Sequence, residues 1–286
     1  MSTAHADRVP TLREICLHAV IVAHREDTRQ LQASLRAEGF AVTEVRGPYS
    51  EAELLYSADA RCLVNHANAW RIAAALEQPT LIVEADFVPV RSMGALPAPV
   101  PAGNPAMSIG YLYGVGPQVW DLARSDLARG HAGGMVALLV PPRVASMLLD
   151  FFQEERIRNP TGVYSAFDTR VGYWLNARGV ECFLPYRHYG EHGGIGNPEH
   201  ALAGLGRPHQ ADCLHGSLAF LPPYAQGSQL RFLCVRLRAR LWGVLRLVSG
   251  RLLAWRDLSR VHSLAILRFA AGRLVFRKPA PACQEH

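Results

Sequence analysis

Charge is scarce in this chain. Of its 286 residues only 19% are Asp, Glu, Lys or Arg, against 49% hydrophobic. That balance excludes a solvated, self-repelling polymer and leaves apolar mass for one large core or two smaller ones. No run of about 18 uncharged apolar residues occurs, so no transmembrane helix is expected. Cysteine pairs are missing too. The six cysteines stand at positions 16, 62, 182, 213, 234 and 283, and none form a CxxC pair. This excludes a zinc ribbon and a disulfide framework, and predicts reduced thiols in a cytoplasmic protein. There is no internal repeat, and no low-complexity tract beyond the Pro/Ala-rich stretch 94–106. The first apolar run, Ile15 to Ala23, contains His18 and follows charged residues. It reads as a strand rather than a secretion signal.

Acidic residues are nearly absent from one region. Between Ser228 and Lys278 there are twelve Lys or Arg and one acid, Asp257. The first 227 residues hold eighteen basic and twenty-two acidic groups. The formal net charge of +6 therefore belongs to the tail, and the body is mildly acidic. This predicts a body over 1–227 and a basic amphipathic segment over 228–286.

What is present begins with an alternation of strands and helices. Ile15 to Ala23 and Phe40 to Val45 read as strands, with a helix over Asp27 to Gly39 between them. Ser50 to Leu76 reads as mostly helical, with Leu63, Ala67, Trp70 and Ala74 on one face. Thr80 to Val83 is a third buried strand. A short strand is expected over Ile109 to Val115, and Gly130-His-Ala-Gly-Gly134 is expected to break the chain before another strand, Met135 to Val140. A helix over Val144 to Phe152 follows, with its start at Pro141 and Pro142. Another helix over Ser165 to Arg178 and a strand over Glu181 to Pro185 complete an α/β pattern with a mostly parallel sheet.

The third strand ends on two carboxylates, Glu84 and Asp86. Residues two apart on an extended chain project to the same side. Two carboxylates at the end of a buried strand suit a hard cation such as Mg²⁺ or Mn²⁺. They equally suit a strand that simply exits into solvent.

Asn65-His66-Ala-Asn-Ala-Trp70 followed by Leu81-Ile-Val-Glu-Ala-Asp86 resembles the signature of glycosyltransferase family 25, the lipopolysaccharide-type glycosyltransferases. Gly134-Met-Val-Ala-Leu-Leu-Val140 with its helix, and Asp168 before Cys182-Phe-Leu-Pro185, extend the likeness over residues 13–187. Two departures stand out: Asn65 replaces a usual Ser, and Ala85 replaces the middle acid of Glu-Asp-Asp. The resemblance implies a GT-A-like fold, a nucleotide-sugar donor, a glycan or lipid-linked acceptor in bacterial surface-polysaccharide assembly, and inversion at the anomeric carbon. It also implies a divalent metal on Asp86, assisted by Glu84. Asp168 is the first candidate base for the acceptor hydroxyl and Glu191 the second. Asp168 equally suits a first-turn acid that favours the helix dipole. His66 is a candidate donor or acceptor contact, or a packed structural residue.

The stretch Tyr186 to His200 packs His188, Glu191, His192, Glu199 and His200 among glycines, with His209, Asp212 and His215 after it. Tyr186, Arg187 and Tyr189 suit sugar and phosphate contacts in a binding loop, with His188 a further candidate donor contact. The same residues also allow a metal-dependent hydrolase, though they lack HExxH spacing, or a solvated structural connection. The missing middle acid leaves a non-catalytic nucleotide- or glycan-binding protein open. Residues 228–286 read either as a peripheral helix on an anionic membrane, at the inner face of the plasma membrane, or as a hairpin packed on the body. No nucleic-acid-binding module is recognised.

Overall fold

The structure, a computed structural model, describes residues 8–159, 165–194, 209–253 and 264–276. The expectations for Glu199 and His200 lie outside the described residues. A single helical turn, Leu12–Ile15 (α1), precedes the first strand, His18–Val22 (β1). The expected strand from Ile15 is shorter because Thr11 and Glu14 close a capping box that starts α1. Arg29–Ala37 (α2) buries Leu31 and Leu35, four apart on one face. Ala41–Val45 (β2) then pairs with β1 in parallel.

Glu51–Leu54 (α3) and Ala58–Ala74 (α4) fill the helical stretch, each capped by a serine hydroxyl, Ser50 and Ser57. Thr80–Glu84 (β3) runs parallel to β1 on its other side. Phe87–Pro89 (β4) leads to two long strands, Ser108–Arg124 (β5) and Leu127–Val140 (β6), which pair as a hairpin. The expected break at Gly130 to Gly134 is absent. Those glycines sit inside β6, where a side chain at Gly130 would come within 2.5 Å of the Gln118 carbonyl oxygen and of Leu184. The pairing slips register several times along this ribbon. Glycine here marks close approach and bulging rather than strand termination.

Pro142–Arg158 (α5), Phe167–Asn176 (α6) and Glu181–Pro185 (β7) follow, and Gly190–His192 (β8) pairs with β4. The central sheet has the order β2-β1-β3-β6-β5-β7. Only β6 runs against the other five strands, so the sheet is mixed and mostly parallel. Alternate residues feed opposite faces. Ile82, with Val20 and Leu138, meets Trp70 of α4, Leu148 of α5 and Leu175 of α6 in one core cluster. Leu81 and Val83 meet Leu31 and Leu35 of α2 in the other.

Gln229–Val248 (α7) and Leu264–Val275 (α8) close the described chain. Ile266 and Phe269 of α8 join the α4–α6 core cluster, so the core continues into the basic segment. Among the described residues no helix is long and apolar enough to cross a membrane.

Candidate functional site

The chain passes from β1 to β2 on one side, then returns past β1 to β3 on the other. The carboxyl ends of β1 and β3 therefore diverge at a switch of strand order, where open α/β sheets bind ligands. A cavity of about 230 Å³ lies there. Ala23 and His24 from the end of β1, Arg61, Cys62 and Asn65 from α4, and Glu84 and Asp86 from the end of β3 line it.

Asn65 builds this cleft rather than acting in it. Its side-chain nitrogen donates to the Ala23 carbonyl at 2.7 Å and to the Tyr49 hydroxyl at 2.6 Å, and its oxygen accepts from the Gly47 N–H at 2.8 Å. One buried amide thus ties the end of β1 to the turn after β2. A serine hydroxyl is too short to offer all three bonds.

Each carboxylate of β3 meets a histidine. His66 Nε2 lies 3.0 Å from Glu84 Oε1. The His66 ring has no exposed surface and packs against Trp70 and Phe167. It reaches the cleft only through Glu84. His192 Nε2 lies 3.0 Å from Asp86 Oδ2. Burial works against the charge on both partners, but the pairing outweighs it. Asp86 is held below the ordinary carboxylate range and His192 is lifted to about 9. Gly194 makes this contact possible: a Cβ there would come within 2.2 Å of Asp86 Oδ2. One oxygen of each carboxylate faces an imidazole, so the pair does not stand as an oxygen-only seat in this structure.

Glu84 instead groups with Cys62 and His66, with one ligand atom from each residue lying within 4.8 Å of the others. Cys62 was not singled out in the sequence, although it stands four residues before His66 on a helix. Burial first, then the charges of Glu84, Asp59, Asp168 and Asp86, push its thiol well above the ordinary range. Asp168 sits half-buried in the first turn of α6, and its charge is felt at Cys62. It does not itself line the cavity.

Most side chains of the segment 186–193 are buried and tied to other elements. Glu191 has no exposed surface; it accepts from the Ala211 N–H at 2.7 Å and pairs with Arg236 of α7. Burial raises its carboxyl despite that partner. A second base in this position is not accessible to a substrate. Tyr186 is buried edge-on to Phe269, and its carbonyl accepts from Arg273 of α8 at 3.1 Å. Arg187 is buried beside the Leu214 carbonyl. His188 Nε2 lies 3.3 Å from Asp212 Oδ1, and Arg273 spans both Asp212 oxygens at 3.0 and 3.1 Å. These side chains anchor the C-terminal helices. His188, Glu191 and His192 each have a different partner, so among the described residues they do not converge into a hydrolase centre.

A larger cavity, about 840 Å³, lies between β5 and α7 and is lined by Gly116, His188, Asp212, Trp242 and Arg246. Its acid, Asp212, and one of its two histidines, His188, are committed to Arg273 and to each other, and the other histidine is His209. The smaller cleft keeps its carboxylates, thiol and arginine at the carboxyl ends of the strands. Neither the family models nor the curated proteins compared with this chain match it.

Proposed function

We propose that this chain is a glycosyltransferase on a GT-A-like sheet, moving a sugar from a nucleotide-sugar donor to a glycan or lipid-linked acceptor in bacterial surface-polysaccharide assembly. The observation that carries the reading is the cleft at the strand-order switch, walled by Glu84 and Asp86 on one side and by Arg61 and Asn65 on the other. A nucleoside diphosphate gains negative charge as the glycosidic bond breaks. Arg61 supplies positive charge at that wall, and guanidinium donors suit phosphate oxygens. Asp168, whose charge is felt at Cys62 in the cleft, takes the proton from the acceptor hydroxyl in an inverting displacement. Asn65 holds both loops of the cleft in place for the donor.

The exposed face of α7 supports a peripheral seat on an anionic membrane. Leu230, Leu233, Leu237, Leu241, Val244 and Val248 are exposed at spacings of three and four, which places them on one stripe. Arg231 and Arg238 are exposed on the same helix, and α7 contains no acid. An apolar stripe with basic neighbours matches lipid tails and anionic headgroups.

A thermal-shift screen of UDP-, GDP- and CMP-sugars tests the site. One nucleotide class raises the melting temperature of the wild type, and Arg61→Gln reduces that rise. Asp168→Asn keeps the shift but slows nucleoside diphosphate release by about 10² or more, the usual contribution of general base catalysis. Absence of any shift across all three classes contradicts the reading.

A further inference from the structure

We propose that Cys62, His66 and Glu84 form a three-ligand site for a divalent cation of the zinc class, with its fourth coordination position open to the cleft. The site does not rest on the transferase reading; it replaces the all-carboxylate seat that the sequence suggested for that cleft.

The ligands come from rigid elements. Cys62 and His66 stand four apart on α4, which puts them on one helix face. Glu84 is the last residue of β3, and its Oε1 is already 3.0 Å from His66 Nε2. The donor atoms of the three residues lie within 4.8 Å of one another. A tetrahedral ion with bonds of about 2.0–2.3 Å needs donors about 3.3–3.8 Å apart. A contraction of about 1 Å closes the site, and the His66–Glu84 edge is already short enough. Trp70 and Phe167 both pack against the His66 ring, so its orientation comes from packing.

Donor chemistry selects the metal. One thiolate, one imidazole and one carboxylate suit a borderline ion such as Zn²⁺ or Co²⁺, whereas Mg²⁺ and Mn²⁺ prefer oxygen alone. Three protein ligands with a vacant fourth position is the pattern of sites that bind water or substrate oxygen. Cys62 and Glu84 both line the cavity, and Asp86 faces the same space. The negative field of Glu84, Asp59, Asp168 and Asp86 around Cys62 is one that a dication neutralises. A diphosphate oxygen or a water molecule is the ligand the fourth position takes.

The test uses tag-free full-length protein without nucleotide sugar, so its outcome is separate from that of the donor screen. Dialysis against Zn²⁺ or Co²⁺ is followed by elemental analysis and absorption spectroscopy. The expected result is one ion per chain, with a thiolate-to-cobalt charge-transfer band in the near ultraviolet. Cys62→Ser abolishes that band and weakens cobalt binding at least tenfold, while Cys234→Ser, at an exposed position on α7, retains it. Glu84→Gln weakens binding but keeps the band, because the thiolate remains. Circular dichroism establishes that each variant is folded, and His66→Gln serves as a second ligand deletion if Cys62→Ser is not. Failure of the wild type to hold Zn²⁺ or Co²⁺ overturns the proposal. So does cobalt bound without a thiolate band, or a band that survives Cys62→Ser.

Discussion

Trp70 and Trp242 lie on helices of similar length, α4 and α7, and are placed in opposite ways: the first is wholly buried and the second is 48% exposed. The contrast extends to everything around them. On α4 Leu63, Ala67, Trp70 and Ala73 enter the core, while Arg61, Cys62 and Asn65 line the cleft. On α7 only Ala239 and Gly243 are buried, while leucines face out. The guanidinium groups of Arg236 and Arg246 turn instead to Glu191 and to the Pro117 carbonyl. Arg236 and Arg273 pair with Glu191 and Asp212, so part of the tail's basic excess fastens it to an acidic body. The exposed face of α7 is an apolar stripe with Arg231 and Arg238 as basic neighbours. A charge count alone predicts a basic surface; the structure divides the tail into buried cation anchors and an uncovered hydrocarbon stripe.

Paired substitutions sharpen this contrast most strongly. Trp70→Ala opens a hole in the fully packed core and costs about 3–5 kcal/mol. Trp242→Ala costs less than about 0.5 kcal/mol, the usual scale of surface changes. Denaturant melts compare the two, and similar losses from both would erase the distinction between the regions.

The anchors come next. Arg273→Ala leaves Asp212 buried without its main partner and costs about 3–5 kcal/mol, the range for breaking a buried pair from one side. The same pair sets a pH dependence. Burial alone would raise the Asp212 carboxyl, but Arg273, His188 and Arg246 hold it well below its ordinary value. A carboxyl depressed in the folded state stabilises above its unfolded pKa of about 3.9 and loses that contribution as pH falls below it. Limited proteolysis should cut the α7–α8 region first as pH drops under about 4, before the sheet is lost. Simultaneous cleavage of both regions contradicts separate anchoring.

The smallest effect on stability falls on the exposed stripe. Leu233→Ser, Leu237→Ser and Leu241→Ser together leave the melting temperature nearly unchanged, because these positions are solvent-facing. Flotation with vesicles of anionic lipid should fall at least tenfold for the triple variant, following the apolar area withdrawn from the bilayer. Unchanged flotation removes the membrane role of this face.

The regular frame was legible in the sequence where period and punctuation agreed. The strand expected over Glu181 to Pro185 is the strand observed, and the third strand needs only Glu84 added to its end. The β5–β6 ribbon was not legible, because Gly130 and Gly134 look like terminators when no partner strand is in view. The glycine- and histidine-rich stretch misled for a similar reason. Its composition signals a polar cluster, but the partners that decide its role are remote: Arg236 lies 45 residues beyond Glu191, and Arg273 lies 61 residues beyond Asp212. Of the cleft, the carboxylates of β3 and the Asn65-His66 pair were visible. The spacing of Cys62 and His66 was also visible, but only the fold brings them beside Glu84.

The proposed transferase needs the cleft between β1 and β3 to receive a nucleotide-sugar. Hydrogen exchange of the full-length protein, with and without the nucleotide-sugar class that shifts its melting, tests this most directly. A donor bound in this cleft slows exchange at 22–26, 47–49, 61–65 and 84–86. Protection confined to 114–118 and 239–251, around the larger cavity beside Trp242, would contradict it.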